Sequence, residues 1–120
     1  MTIGEVQYVK ETVEFTKKPL HDDPPTMVTQ MREAQGRVGY MYFILAAANA
    51  ELDRAENSAA ELMTVGKEKL SAYVLEVKIR AAVSEMREFR DRVQGQIKSL
   101  EGMCMTGAVI LRYLRGLPQE

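Results

Sequence analysis

The chain has 120 residues, 46% of them hydrophobic and 28% charged, with one cysteine, one histidine and no tryptophan. That length holds one domain at most, the apolar content excludes disorder by composition, and the single Cys104 and His21 exclude an internal disulfide framework, a thiolate zinc site and a multi-histidine metal centre. The formal charge of −1 balances unlike halves: six bases against ten acids over 1–66 give −4, and ten bases against seven acids over 67–120 give +3, an asymmetry that suits an anionic partner or self-association.

Residues 1–23 read as a short N-terminal helix or arm followed by a polar linker. Ile3, Val6, Val9 and Val13 fit an amphipathic helix. The run VQYVKETVEFT favours a strand by propensity, but a lone strand has no partner, so helix is the expectation. Lys18-Pro19 ends either element. The N-terminus has no apolar core of a secretory signal, and with a free thiol the expected location is cytoplasmic.

In His21-Asp22-Asp23-Pro24-Pro25-Thr26, Asp23 suits an N-cap and Pro24 a first helical position, with Thr26 as the rival cap. A helix is predicted over 25–63. Its seam is Met31, Ala34, Val38, Met41, Leu45, Ala48, Leu52, Ala55, Ala59 and Leu62, in alternating steps of three and four, a heptad pattern. Gly36 and Gly39 read as small residues that allow close helix contact. The apolar window Val38–Ala50 is well short of the ~20 residues that span a bilayer.

Thr64 to Lys67 is a break, and a second helix is predicted over 68–115. Its stripe is Ala72, Leu75, Ile79, Ala82, Met86, Phe89, Val93, Ile97, Leu100, Cys104, Gly107, Leu111 and Leu114. Gly116 and Pro118 supply the stop. Gly95, Gly102 and Gly107 each weaken the helix by roughly 1 kcal/mol relative to alanine, and one of them can mark a bend.

The predicted fold class is all-α: a long antiparallel helical hairpin with a short N-terminal segment, assembling into an oligomer. A helix of ~45 residues is about 65–70 Å long, so two of them make a rod. Tyr40, Phe43, Ile44 and Ala47 lie off the first seam, and Val109, Ile110 and Tyr113 off the second. Apolar residues on a second face call for a second packing partner. Tyr40, Phe43, Ile44, Val109, Ile110 and Tyr113 are therefore the candidate oligomer or partner interface. The competing expectation is a bent, more compact monomer with a third helix.

No constellation for catalysis emerges, and no enzyme, metal or cofactor is predicted. His21 sits alone beside a proline turn. Cys104 lies on the apolar stripe with no neighbouring base to lower its pKa, as a core thiol does. Glu51, Asp53, Glu56 and Glu61 lack the histidines of a di-metal helix site and read as a solvated acidic face. The remaining candidate is a basic row. Lys69, Arg80, Arg87, Arg90, Gln94 and Lys98 fall within roughly 80° of one helix face, apart from the core stripe, where they could track phosphates. Glu76, Asp91 and Glu101 share the sector, and Glu76–Arg80 and Arg87–Asp91 are spaced to pair with each other instead.

The stretch Tyr73 to Arg115, YVLEVKIRAAVSEMREFRDRVQGQIKSLEGMCMTGAVILRYLR, with spaced bases before an apolar run, resembles the C-terminal helix of the phage recombination mediator UvsY family. The layout of a short helix, a proline-containing break and two long helices is similar too. That resemblance implies a ring-forming accessory protein of DNA recombination that binds single-stranded DNA and a recombinase. Lys69, Arg80, Arg87, Arg90 and Lys98 would then contact phosphates, although this chain is less basic than that family. The alternative function is a helical protein–protein module without nucleic-acid binding, such as an adaptor, an assembly chaperone or a phage inhibitor of a host defence system, using the patch around Tyr40 and Phe43.

Overall fold

The chain is all-helical among the described residues, and the first two helix starts follow from local capping chemistry. The computed structural model describes the backbone of residues 2–65 and 72–116 and the side chains of residues 2–59, 61 and 76–116. Helix α1 spans Ile3–Thr16. Glu5 N donates to Thr2 Oγ1 at 3.2 Å, and Thr2 N donates to Glu5 Oε2 at 3.4 Å. This reciprocal box satisfies two helix-end donors and outweighs the strand propensity of the segment. The T-x-x-E signal at 2–5 is local and legible, and it resolves the helix-or-strand ambiguity.

Helix α2 spans Pro24–Val65. Asp23, not Thr26, is its cap: Thr26 N and Thr26 Oγ1 both donate to Asp23 Oδ2, at 3.3 and 2.7 Å. Those bonds hold the Asp23 carboxyl below the usual carboxylate range. The linker is tied down by Gln30, whose Nε2 donates to Pro19 O at 3.2 Å and whose Oε1 accepts from His21 N at 2.8 Å. His21 Nδ1 in turn accepts from Asp23 N at 3.0 Å. Helix α3 spans Ala72–Gly116. Of the break predicted over Thr64 to Lys67, Thr64 and Val65 instead continue α2, while its remainder and the predicted start of the second helix fall on residues 66–71, outside the described residues.

Helices α2 and α3 pack together along their length. Cys104 Sγ donates to Met31 O at 3.7 Å, Tyr42 Oη to Glu101 Oε1 at 2.6 Å, and Arg87 Nη2 meets Glu56 Oε1 at 2.9 Å. Residue numbers thus rise along α2 as they fall along α3. The molecule measures 81 × 23 × 19 Å with a radius of gyration of 20.9 Å, against about 13–14 Å for a compact chain of this length.

The core draws on both heptad seams. Ala34, Met41, Ala48, Leu52 and Ala59 of α2 and Val93, Ile97 and Leu100 of α3 are buried. The α3 stripe is misplaced at two positions, one of them Leu114, which is exposed. Val83 is buried and Ala82 is exposed, because a strict three-four repeat drifts against 3.6 residues per turn.

A second departure concerns Ile44. It lies off the α2 seam, yet it is fully buried. Helix α1 packs against the long pair beside residues 34–44 of α2 and 89–100 of α3, and its Val9 joins Met41, Ile44, Val93 and Leu100 in one core cluster. The third helix supplies from within the chain the partner that Ile44 needs, so Ile44 belongs to the core and not to an interface with another molecule.

The glycines also differ from the sequence reading. A Cβ added at Gly36, Gly39 or Gly95 would meet nothing within 4 Å, so none of them mediates close contact within the chain. At Gly107 the added Cβ would lie 2.5 Å from Met31 Sδ and 2.9 Å from Met31 Cγ. Gly95→Ala is therefore expected to raise stability by about 0.5–1 kcal/mol in urea unfolding. Gly107→Ala is expected to lose that gain and fall about 1 kcal/mol or more below it, because Met31 must leave its site. Equal effects at the two positions would refute the tight Met31–Gly107 packing.

Candidate functional site

Three surfaces compete as the functional site, and their side-chain chemistry separates them. The first is the basic row on α3. Arg80 pairs with Glu76, one turn away as the spacing predicts. Arg87 reaches across to Glu56 of α2 at 2.9 Å rather than to Asp91. Asp91 is taken by Arg90 at 3.1 Å. Lys98 is exposed and borders a groove with Tyr42, Leu45, Gln94 and Glu101. Lys69 lies outside the described residues. The row does not stand apart from the core stripe: Val83 is buried in the same sector, and Arg90 is half-buried. It flanks the α2–α3 seam, and each of its arginines already has a carboxylate. Exposed pairs of this kind contribute little to stability, but they neutralise the charge that a phosphate would need.

The second surface is the outer face of α2. From Val38 to Ala50 the helix carries no charge, and Tyr40, Tyr42 and Phe43 are exposed there. The Tyr40 and Phe43 rings stack at 5.9 Å between centroids, and Tyr40 meets Tyr8 of α1 edge-on at 4.5 Å. Two contacting aromatic rings on an uncharged helix face form a rigid apolar platform. Helix α1 props one side of it through Tyr8.

What holds α1 in that position is Arg37, a residue the periodicity does not single out. Its guanidinium carbon lies 5.2 Å from the ring centroids of both Tyr8 and Phe15. Arg37 Nη1 donates to Thr12 Oγ1 at 3.1 Å, and Nη2 donates to Glu33 Oε1 at 3.3 Å. Thr12 is fully buried, and its hydroxyl donates to Tyr8 O at 2.9 Å. Burial pushes the Tyr8 phenol up, with Arg37 pulling against it. The available signal was a base standing just before a 13-residue uncharged run. Heptad counting ignores such a residue.

The third surface is the C-terminal part of α3. Residues 102–111 carry no charge. Met105, Val109 and Tyr113 are exposed, while Ile110 is half-buried. Of the predicted interface residues, Tyr40 and Phe43 on α2 and Val109 and Tyr113 on α3 are exposed.

Cys104 is half-buried, and burial pushes its thiol pKa up, with Glu101 adding to the shift. A thiol with a raised pKa is a poor nucleophile at neutral pH. Alkylation by iodoacetamide at pH 7.5 is expected to run at least tenfold slower than for a free cysteine peptide, and to match the peptide once the protein is unfolded in urea. Peptide-like reactivity in the folded protein would contradict the packing of Cys104 against Met31. Among the described residues no group of three or more His, Cys, Asp or Glu side chains is placed to hold a metal ion, and no helix is long and apolar enough to cross a membrane. A scan of protein-family models and searches of curated proteins and of solved structures return no match to this chain.

Proposed function

We propose that this chain is a helical protein–protein interaction module, built as an antiparallel hairpin with a docked third helix, and that it binds a protein partner through the outer face of α2. The observation that carries this reading is the exposed Tyr40–Phe43 stack on the uncharged helix face. Aromatic residues in an apolar setting are the usual anchors of a protein interface. Self-association to a homo-oligomer belongs to the same reading, since an elongated molecule exposes apolar surface on two of its helices. The DNA-recombination accessory role, with single-stranded DNA and a recombinase as partners, ranks second. It needs Arg80, Arg87 and Arg90 to exchange their carboxylate partners for phosphates.

One paired experiment separates the two. Nuclease-treated lysate is passed over the immobilised protein and over its Tyr40→Glu, Phe43→Glu double variant. A stoichiometric protein retained by the first and lost by the second is the expected result, together with no gel shift of an oligo-dT strand at low salt. A shift that fades as salt rises, unaffected by the double variant, would establish the nucleic-acid role instead.

A further inference from the structure

We propose that the C-terminal segment of α3 is a self-pairing surface, on which two copies of this chain dock antiparallel about a two-fold axis level with Gly107. Gly102, Met105, Val109 and Arg112 follow one another in steps of three, four and three, which keeps them on one face of a helix. Met105 and Val109 are 72% and 61% exposed, and Tyr113 beside them is 68% exposed. That face points away from α2, because the α3 residues turned toward α2 are Val93, Ile97, Leu100 and Cys104, on the other side of the helix.

The charges at its borders say what covers it. The uncharged run is closed by Glu101 at one end and Arg112 at the other. When the segment meets an inverted copy of itself, Met105 faces the partner's Val109, and Arg112 lies over the partner's Gly102. Gly102 has open space above it, so the arginine side chain can cross there to the partner's Glu101. Symmetry makes this ion pair twice. In an antiparallel pair like flanks face each other, so one acid and one base on the same flank are complementary only to an inverted copy of the same segment. A parallel pairing in register would hold Glu101 and the partner copy's arginine at the Arg112 position about 16 Å apart along the helix axis, out of reach of each other. Glu101 already accepts a hydrogen bond from Tyr42 through Oε1, which fixes its position and leaves its second oxygen for the arginine.

This inference deepens the self-association included in the proposed function by fixing its surface and symmetry, and it uses a different helix from the Tyr40–Phe43 platform. Since the surface occupies one end of the rod, two 81 Å molecules overlapping over about 27 Å give a dimer about 135 Å long.

The test is mass by light scattering after gel filtration of the full chain at 10–100 μM, with small-angle scattering for length. The expected result is twice the 13.5 kDa chain mass and a maximum dimension near 135 Å. Val109→Glu is expected to halve the mass while helicity by circular dichroism is retained, since Val109 is exposed in the single chain. Glu101→Arg and Arg112→Glu are each expected to weaken the dimer at least tenfold. Mixing the two single variants is expected to restore the dimer as a heterodimer, because both ion pairs re-form, one with the original sign and one reversed. Phe43→Glu is expected to leave the mass unchanged, which keeps this result separate from that of the α2 platform. A monomer at 100 μM, or single charge variants that dimerise as well as the wild type, would overturn the proposal.

Discussion

Arg37→Met is expected to lower the stability of the folded chain by about 2 kcal/mol and to release α1 from the long helix pair. The side chain does two jobs that methionine divides. It fills space beside the Tyr8 and Phe15 rings, 5.2 Å from each ring centroid to the guanidinium carbon, and methionine keeps an unbranched apolar chain there. Its charge contributes the two ring contacts and the bond to Thr12, and methionine loses those. A cation over an aromatic ring contributes about 0.5–2 kcal/mol, and a hydrogen bond to a charged group about 1.5–3 kcal/mol. Arg37 Nε, however, is buried with no hydrogen-bond partner, a cost that the substitution removes. The net loss therefore falls well below the sum of the gains.

Hydrogen exchange locates the effect. Amides of α1 are expected to lose protection in Arg37→Met, while those around Val93 to Leu100 keep theirs. Arg37→Lys is expected to lose less, since it keeps the charge but not the fork that reaches Thr12 and Glu33 together. Thr12→Val, which removes the acceptor, is expected to couple to Arg37→Met by about 1 kcal/mol in a double-mutant cycle. Additive effects and an unchanged exchange pattern would mean that Arg37 does not hold α1 in place.

The contrast between α1 and the long helices shows what local pattern carries. The α2 and α3 seams were legible because heptad steps repeat over many turns, and a repeat averages over errors such as Ala82 for Val83. The all-helical class followed from the same repeats. The docking of α1 was not legible. It depends on Arg37, Thr12 and Gln96, single polar residues with no period, brought together across the chain; Thr16 Oγ1 meets Gln96 Oε1 at 2.6 Å. The candidate surfaces sit between these cases. Composition exposes the uncharged runs at 38–50 and 102–111, but only the fold tells which of their residues face solvent. The pairing of the basic row was not legible, because a helical wheel places side chains on a face without showing that Arg87 reaches Glu56 on another helix.

Ile44 and its neighbour Phe43 put that difference to the most direct test. Both are large apolar residues off the α2 seam, and a sequence pattern treats them alike. Ile44 is 0% exposed and Phe43 is 62% exposed. Ile44→Ala is expected to cost about 2–4 kcal/mol in urea unfolding, from lost burial plus the cavity left among Val9, Met41 and Leu100. Phe43→Ala is expected to cost about 0.5 kcal/mol or less, since most of its ring is already in water and its contact with Tyr40 lies at the surface. The order reverses for binding: Phe43→Ala is expected to weaken the partner contact of the α2 platform by tenfold or more, and Ile44→Ala to leave it intact while the chain stays folded. Similar stability losses at the two positions would mean that α1 does not cover Ile44 in solution, and the third helix would then be a free arm rather than part of the core.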